Sequence, residues 1–155
     1  MKQNAHMYAD NFDHEHGGNT MIHGSCLCGG VQYDYAGEFG TITVCHCSDC
    51  RKAQGTSTVV AAPVNAAQFR WRKGSELIAE YESSPGKKRA FCRRCGAPLY
   101  SRRDDAPEVL RLRMGTIDNA VDATPVAHIF TANVPAWAAM DDELPRYDGQ
   151  EPGRG

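Results

Sequence analysis

The sequence Cys45-His-Cys47-Ser-Asp-Cys50 stands between two further cysteine clusters, Cys26-Leu-Cys28 and Cys92-Arg-Arg-Cys95, and the three clusters hold all seven cysteines of the chain. Four thiolates close a tetrahedral structural zinc site, whereas a catalytic zinc site keeps three protein ligands and one open position. Seven cysteines are one short of two closed sites. The count therefore favours one closed site and one site with a position left for water or a substrate.

Length, composition and charge define the class of protein. A chain of 155 residues, 41% of them hydrophobic, fits one globular domain with a modest core. Lys and Arg number 17 against 19 Asp and Glu, so the chain has no broad cationic surface for nucleic acid or anionic lipid. It lacks the run of about 20 apolar residues that a membrane span needs, and its polar N-terminus lacks a signal-peptide core. We therefore expect no membrane association and a reducing, cytoplasmic location, where such clusters bind metal and do not form disulfides.

The chain divides into a domain over residues 21–147 and two tails. Residues 1–20 are polar, and we expect a flexible extension, although His14 and His16 with Glu15 offer a weak metal site as an alternative. Residues 148–155 are rich in Gly and Pro and are predicted to be a flexible tail.

Within the domain, short apolar segments separated by turn residues predict an all-β fold. One short helix is expected over residues 48–54, with Ser48 or Asp49 as its N-cap. Phe39, Phe69 and Trp71 are predicted to lie in the core. The predicted strands are 31–35, 41–45, 57–63, 69–71, 77–82, 89–92, 99–102, 109–114 and 127–131.

The first and last clusters suit the two halves of one metal site. Residues i and i+2 of an extended chain point to one face, so Cys26 and Cys28 can present both sulfurs together, and the glycines after them let the backbone turn. Cys92 and Cys95, followed by Gly96, form a CxxC knuckle. A pair from each cluster makes a closed site that couples metal binding to folding. The spacing also allows other partitions of the seven cysteines.

The middle cluster places three sulfurs on one side of an ion. Cys50 lies in the first turn of the predicted helix. The helix N-terminus together with Arg51 and Lys52 should lower the pKa of the thiols and balance thiolate charge. His46 is the rival fourth ligand. Because it alternates with two cysteines on an extended segment, its side chain should point the opposite way, which favours a supporting or packing role.

Six motifs together resemble the glutathione-dependent formaldehyde-activating enzyme family, which also includes centromere protein V. The resemblance covers about residues 22–147, and the ordered set of three cysteine clusters makes it specific. The motifs are Gly24-Ser-Cys-Leu-Cys-Gly-Gly-Val-Gln-Tyr33, Cys45-His-Cys-Ser-Asp-Cys-Arg-Lys-Ala-Gln-Gly55, Arg89-Ala-Phe-Cys-Arg-Arg-Cys-Gly-Ala-Pro-Leu-Tyr100, Val126-Ala-His-Ile-Phe130, Pro135-Ala-Trp137 and Leu144-Pro-Arg-Tyr147.

The resemblance implies a single-domain β-tent fold with two zinc ions per chain. By position, it assigns Cys26, Cys28, Cys92 and Cys95 to the structural zinc and Cys45, Cys47 and Cys50 to the catalytic zinc. It also implies a carbon–sulfur lyase-type enzyme whose partners are a small thiol, glutathione, and a small aldehyde, formaldehyde, with S-hydroxymethylglutathione as the product. Thr131-Ala-Asn-Val134, between the motifs ending at Phe130 and beginning at Pro135, departs from the family pattern.

The open site suits this chemistry, because zinc held by three sulfurs can take a thiol as its fourth ligand and keep it as the attacking thiolate. Glutathione has two carboxylates, which arginine side chains can bind, and Arg89 is the residue we select for this contact. The alternative hypothesis is that most cations near the third cluster bind no ligand and form a solvated strand face, which Asp104 and Asp105 partly neutralise. These cations are Lys87, Lys88, Arg89, Arg93, Arg94, Arg102 and Arg103.

A non-catalytic zinc module that binds nucleic acid or a protein is the competing hypothesis. The same basic stretch, with Phe91 and Tyr100, can contact phosphates and stack on bases. Against it stand the three-ligand cluster and the near-neutral net charge. His128 is expected to be a half-buried strand residue and not a general base, and Trp137 a core or pocket-wall aromatic.

Overall fold

The computed structural model of the protein describes residues 21–153. The predicted extension over residues 1–20, with its histidines, and the last two residues of the predicted C-terminal tail lie outside that range. Within it the chain forms eleven strands and one α-helix, α1 (Ser48–Gln54). The strands are β1 (Ile22–Ser25), β2 (Gln32–Tyr35), β3 (Thr43–Cys45), β4 (Val59–Asn65), β5 (Phe69–Lys73), β6 (Ile78–Ser84), β7 (Lys87–Cys92), β8 (Pro98–Arg103), β9 (Ala106–Arg113), β10 (Ala127–Ile129) and β11 (Arg146–Tyr147).

The predicted all-β class is confirmed, and each of the nine predicted strands overlaps an observed one. Helix α1 has the predicted bounds, but its predicted N-cap is wrong. The cap is Cys47, whose sulfur accepts a hydrogen bond from the Cys50 backbone N–H at 3.3 Å. Strands β1 and β11 were not predicted, because each is too short to show a period. Among residues 21–153, no helix has the length and apolar character that crossing a membrane requires.

The strands form two sheets. A small antiparallel sheet has the order β1-β2-β5, and a large sheet has the order β11-β10-β3-β4-β9-β8-β7-β6. In the large sheet β10 runs parallel to both β3 and β11, while the other neighbouring pairs are antiparallel. Domain boundaries at residues 21 and 147 stay a prediction. Beyond β11, the Gly149 carbonyl accepts a hydrogen bond from the Phe130 N–H at 2.8 Å.

The main core lies between one face of the large sheet and the small sheet. Leu112 of β9 and Tyr33 of β2 are almost completely buried there. The Tyr33 and Phe69 rings stack with centroids 4.7 Å apart. Phe39, Phe69 and Trp71, predicted as core residues, all pack against this cluster.

The other face of the large sheet carries cysteine and cationic side chains. Residues paired across antiparallel strands share a face, as do residues i and i+2 of one strand. Cys45 pairs with Val59 of β4, and Ala61, two residues on, pairs with Arg113. Pro63, a further two residues along β4, pairs with Arg111 of β9. Arg111 pairs with Ser101 of β8, and Ser101 pairs with Arg89 of β7. Register therefore places Cys45, Arg113 and Arg89 on one face, opposite the main core.

Trp137 corrects a prediction. It was expected in the core or in a pocket wall, but it is 71% exposed. The Ala138 N–H donates to the Pro135 carbonyl at 2.9 Å, which places Trp137 inside a tight turn whose side chains project outward. The Pro that precedes it by two residues sets this turn.

Gly24→Ala tests how closely β1 packs against Tyr33 of β2 and against Thr116, which follows β9. A Cβ at Gly24 would collide with the buried Tyr33 ring and lie 2.6 Å from the Thr116 carbonyl oxygen. We expect this overpacking to lower the free energy of unfolding by about 2 kcal/mol or more, measured by chemical denaturation. Gly149→Ala is the control, since a Cβ there meets no heavy atom within 4 Å. Equal stability of the two variants would contradict the packing described.

Candidate metal centres

The first and last cysteine clusters meet in space, one from each sheet. Cys26 and Cys28 lie in the hairpin loop between β1 and β2, while Cys92 and Cys95 lie at the turn between β7 and β8. Their four sulfurs lie within 4.8 Å of one another. The sulfur of Cys28 is 3.5 Å from that of Cys26 and 4.0 Å from that of Cys92. Zn–S bonds of about 2.3 Å place the sulfurs of a tetrahedron about 3.8 Å apart, so this set fits a zinc ion.

Both hairpin loops shape their cysteines through tight backbone turns. The Gly29 N–H donates to the Cys26 carbonyl, and the Gly96 N–H donates to the Cys92 carbonyl, each at 2.8 Å. Gly29 and Gly96 adopt φ of 65° and 75°, a region that glycine enters without a Cβ clash.

The Ala97 N–H lowers the pKa of the Cys95 thiol to about 6. The backbone therefore favours a thiolate at this position before any metal binds.

The middle cluster forms a second centre with three sulfurs. Cys45 ends β3 and is buried, whereas Cys47 and Cys50 are half-buried around the first turn of α1. Their sulfurs lie within 4.8 Å of one another, and no histidine or carboxylate of residues 21–153 joins them as a fourth ligand atom. The donor set of three thiols suits zinc with one position left for another ligand.

Two arginines from the large sheet stabilise negative charge at this centre. Arg89 Nη1 donates to the Cys50 sulfur at 3.5 Å, and its Nε is held by Ser83 Oγ at 2.9 Å. Hydrogen bonds from the Cys45 and Cys47 thiols lower the pKa of Cys50, and Arg89 and the charge of Arg113 lower it further. Arg113 is only 6% exposed. Burial lowers the pKa of its guanidinium, and Cys50 partly opposes that effect.

Lys87 belongs to the same cationic group. Burial lowers the pKa of Lys87 to about 8, and the positive charges of Arg111, Arg113 and Arg89 act in the same direction. It lies two residues before Arg89 on β7, and therefore on the same face.

Most other cations near the third cluster are neutralised, as the alternative hypothesis expected. Arg102 forms ion pairs with Glu80 and Asp104, each at 2.7 Å. Lys88 also pairs with Asp104, and Arg103 pairs with Asp105. Lys88 and Arg102 lie on the strand face opposite Arg89, whereas Arg103 shares the face of Lys87 and Arg89 and is nevertheless in an ion pair.

His46 lies on the opposite side of β3 from Cys45, as alternation predicted. It is fully buried, and its Nε2 is 2.8 Å from His128 Nδ1. His128 is also buried, more deeply than predicted, and its Nε2 contacts Asp142 at 2.9 Å. Burial lowers the pKa of His46, and the adjacent His128 and Arg51 add to this effect. The two imidazoles and the carboxylate form a chain of hydrogen bonds that fixes the backbone between Cys45 and Cys47.

Sequence reasoning missed three neighbours of the three-cysteine centre: Arg113, Phe130 and Tyr147. Phe130 and Tyr147 pack against Cys45 and its apolar neighbours. Phe130 is the one non-glycine residue with positive φ, 55°, in residues 21–153, a costly conformation for a bulky side chain. Both aromatic residues belong to the C-terminal motifs, and these motifs were the sequence signal that could have placed them near the site. For Arg113, only the register of β9 could have provided such a signal.

Comparison with known proteins shows the family of the chain. The family model described as glutathione-dependent formaldehyde-activating enzyme matches residues 21–133. A crystal structure of a Rhodobacter sphaeroides protein is similar with a TM-score of 0.53 and 26% sequence identity, over 64% of this chain and 91% of that chain. No curated protein matches the chain.

Lys87 provides a test of the cationic face. In a ¹³C NMR titration of lysine side chains in the metal-loaded protein, we expect one resonance with a midpoint near pH 8. The ordinary value is about 10.4. Because the unfolded lysine keeps its proton to higher pH, this group's contribution to the free energy of unfolding rises with pH between about 8 and 10. Lys87→Arg should remove that resonance. If Lys87→Arg instead removes a resonance that titrates near pH 10, Lys87 does not lie among the arginines.

Proposed function

Since the chain belongs to the glutathione-dependent formaldehyde-activating enzyme family, we propose that it adds a small thiol, glutathione, to formaldehyde or another small aldehyde. The reaction is of the carbon–sulfur lyase type, in the direction of synthesis. The observation that carries the proposal is the three-sulfur centre of Cys45, Cys47 and Cys50, beside Arg89 and with no fourth protein ligand in residues 21–153.

Two zinc ions per chain are part of the proposal. The set of Cys26, Cys28, Cys92 and Cys95 would hold a structural ion between the two hairpin loops, and the three-cysteine centre would hold the catalytic one. A reducing, cytoplasmic location is also proposed, because it would keep all seven cysteines available to metal.

The reaction forms one bond and needs no oxidant. The sulfur of the substrate thiolate attacks the aldehyde carbon, the carbonyl electron pair moves to oxygen, and that oxygen takes one proton. Zinc, when bound, supplies a position at which a thiol is held as a thiolate at neutral pH. Thiol plus aldehyde thus gives an S-hydroxymethyl thiol.

The chain's own residues supply charge and position. Arg89 and Arg113 offset the negative charge of the cysteine thiolates and of a substrate thiolate. Arg89 was selected from the sequence as a carboxylate contact; its contact with Cys50 instead supports a role at the sulfurs. Lys87, with a pKa of about 8, carries a proton suited to the oxygen of the adduct.

The nucleic-acid alternative has less support. Arg102, Arg103 and Lys88 are in ion pairs with carboxylates, which reduces the charge available for phosphates. Arg89, which faces away from these pairs, contacts Cys50.

Single cysteine substitutions distinguish the two centres. Cys92→Ser should impair folding, because its sulfur ties one sheet to the other, and we expect loss of most far-UV circular dichroism structure or of soluble yield. Cys50→Ser should leave a folded protein that binds one zinc ion tightly where the parent chain binds two, one of them more easily removed by a chelator. Zinc content by mass spectrometry is the measurement. A single tightly held ion in the parent chain, or equal unfolding of both variants, would contradict the two-site assignment.

Calorimetric titration tests the proposed function itself. The zinc-loaded protein is titrated with glutathione and, separately, with a short DNA duplex. We expect saturable binding of glutathione that Cys50→Ser weakens at least tenfold, since a lost ligand alters the site that receives the thiol. Binding of the duplex alone would overturn the proposal in favour of a nucleic-acid module.

A further inference from the structure

Lys87 lies in a cluster of positive charges on the face of the large sheet opposite the main core. It begins β7 and shares its strand face with Arg89, two residues further on. Across the sheet it pairs with Arg103 of β8. The charges that act on Lys87 are those of Arg111, Arg113, Arg89 and, with the opposite sign, Cys50. Lys87 is therefore a lysine among arginines, within electrostatic range of the three-cysteine centre.

Within residues 21–153, no carboxylate forms an ion pair with Lys87. Lys88, the next residue, points to the other face and pairs with Asp104 at 3.3 Å. Asp105 attracts the charge of Lys87, but both of its carboxylate oxygens accept hydrogen bonds from Arg103, at 2.8 and 2.6 Å. The ammonium form of Lys87 thus lacks the direct partner that stabilises the ammonium form of Lys88.

These surroundings favour the neutral amine of Lys87. The residue is half-buried, and burial together with the neighbouring arginines lowers its pKa to about 8, although Cys50 opposes this. At pH 7.5 about a quarter of an amine with this pKa is neutral, against about one part in a thousand for a lysine with the ordinary pKa of about 10.4. A neutral amine is a nucleophile for carbonyl carbon, and lysines beside other cations form Schiff bases in this way.

We propose that Lys87 is a covalent binding site for small aldehydes, which its Nζ takes up as an imine on the face of the sheet that carries the three-cysteine centre. The Nζ lone pair attacks the aldehyde carbon and forms a C–N bond, and the carbonyl electron pair moves to oxygen. One proton then passes from nitrogen to that oxygen, and loss of water from this carbinolamine gives the imine. Amine plus aldehyde therefore gives imine plus water, with no oxidant or reductant.

The inference deepens the proposed function and rests on it for the identity of the aldehyde, while formation of the imine needs neither zinc nor a thiol. Arg89, on the same strand face, contacts Cys50, so an aldehyde carbon held on Lys87 lies on the side of the sheet where a thiolate is stabilised. Near pH 8 the protonated and the neutral forms of Lys87 coexist. The neutral form can attack an aldehyde, and the protonated form can donate to the oxygen of an adduct.

Reductive trapping tests the site. The zinc-loaded parent chain is incubated at pH 7.5 with ¹³C-formaldehyde and cyanoborohydride, which reduces each imine to a stable methylamine. Peptide mass spectrometry then gives the rate of methylation of every lysine separately. Lys88 is the matched control within the same chain, because it is also half-buried but is held by Asp104. Lys52 and Lys73 are exposed and report the reaction of surface lysines.

We expect Lys87 to be methylated at least about tenfold faster than the other three lysines at pH 7.5, because more of its amine is neutral. This advantage should shrink as the pH is raised towards 10, where ordinary lysines also lose their proton. Lys87→Arg should remove the fast site, and Lys88→Arg should leave it unchanged. A Lys87 rate equal to or below that of Lys88 at pH 7.5 overturns the inference.

The same samples separate this inference from the proposed function. If Lys87 reacts fast while calorimetry detects no binding of glutathione, the aldehyde site stands and the proposed function falls. If glutathione binds and Lys87 reacts no faster than Lys88, the proposed function stands and the aldehyde site falls.

Discussion

Side-chain alternation along β9 and β7 gives the large sheet two different faces. One face packs in the main core, and the other contributes side chains to the three-cysteine centre. On β9, Leu110 and Leu112 enter the main core while Arg111 and Arg113 lie on the other face, where Arg113 adjoins the three cysteines. On β7, Ala90 and Cys92 face the core side and Arg89 faces the other. A shift of one residue in β9 would bury arginine in the apolar core and expose leucine at the site, and the same shift in β7 would turn Arg89 towards the core. The position of every cation at the three-cysteine centre therefore depends on strand register.

Burying Arg113 is costly unless negative charge compensates it. Its described surroundings include the three cysteines and the cations Arg89 and Lys87. Each thiolate formed at the centre is therefore stabilised by the arginines, and each arginine is tolerated because thiolates are near. Burial is the main reason why the pKa of Lys87 is lowered, and the neighbouring arginines lower it further, while Cys50 opposes both effects. The cations at this centre therefore favour the thiolate form of its cysteines.

Local spacing was sufficient to predict part of this molecule. The bounds of α1 and the division of the cysteines into sets of four and three follow from motifs a few residues long together with the family resemblance. The contact of Arg89 with Cys50 and the exposure of Trp137 depend on how distant segments meet, which spacing does not encode. Cys47 as the N-cap was missed for another reason: sulfur is an unusual capping acceptor, and Ser48 and Asp49 are common ones. Thus the two sets of candidate ligands could be predicted from sequence, while their electrostatic surroundings depend on the register of the sheet.

The three-sulfur arrangement is enforced by the backbone and not by a lack of donors. His46 stands between two of the cysteines, so an imidazole is available within one residue of each. Its hydrogen bond to His128, which in turn contacts Asp142, holds that imidazole on the far side of β3. Rotating it towards the sulfurs would break a buried hydrogen bond and reverse the alternation of an extended segment. The buried histidine pair therefore keeps the His46 imidazole away from the three sulfurs, so within residues 21–153 this set offers three candidate ligand atoms to a metal.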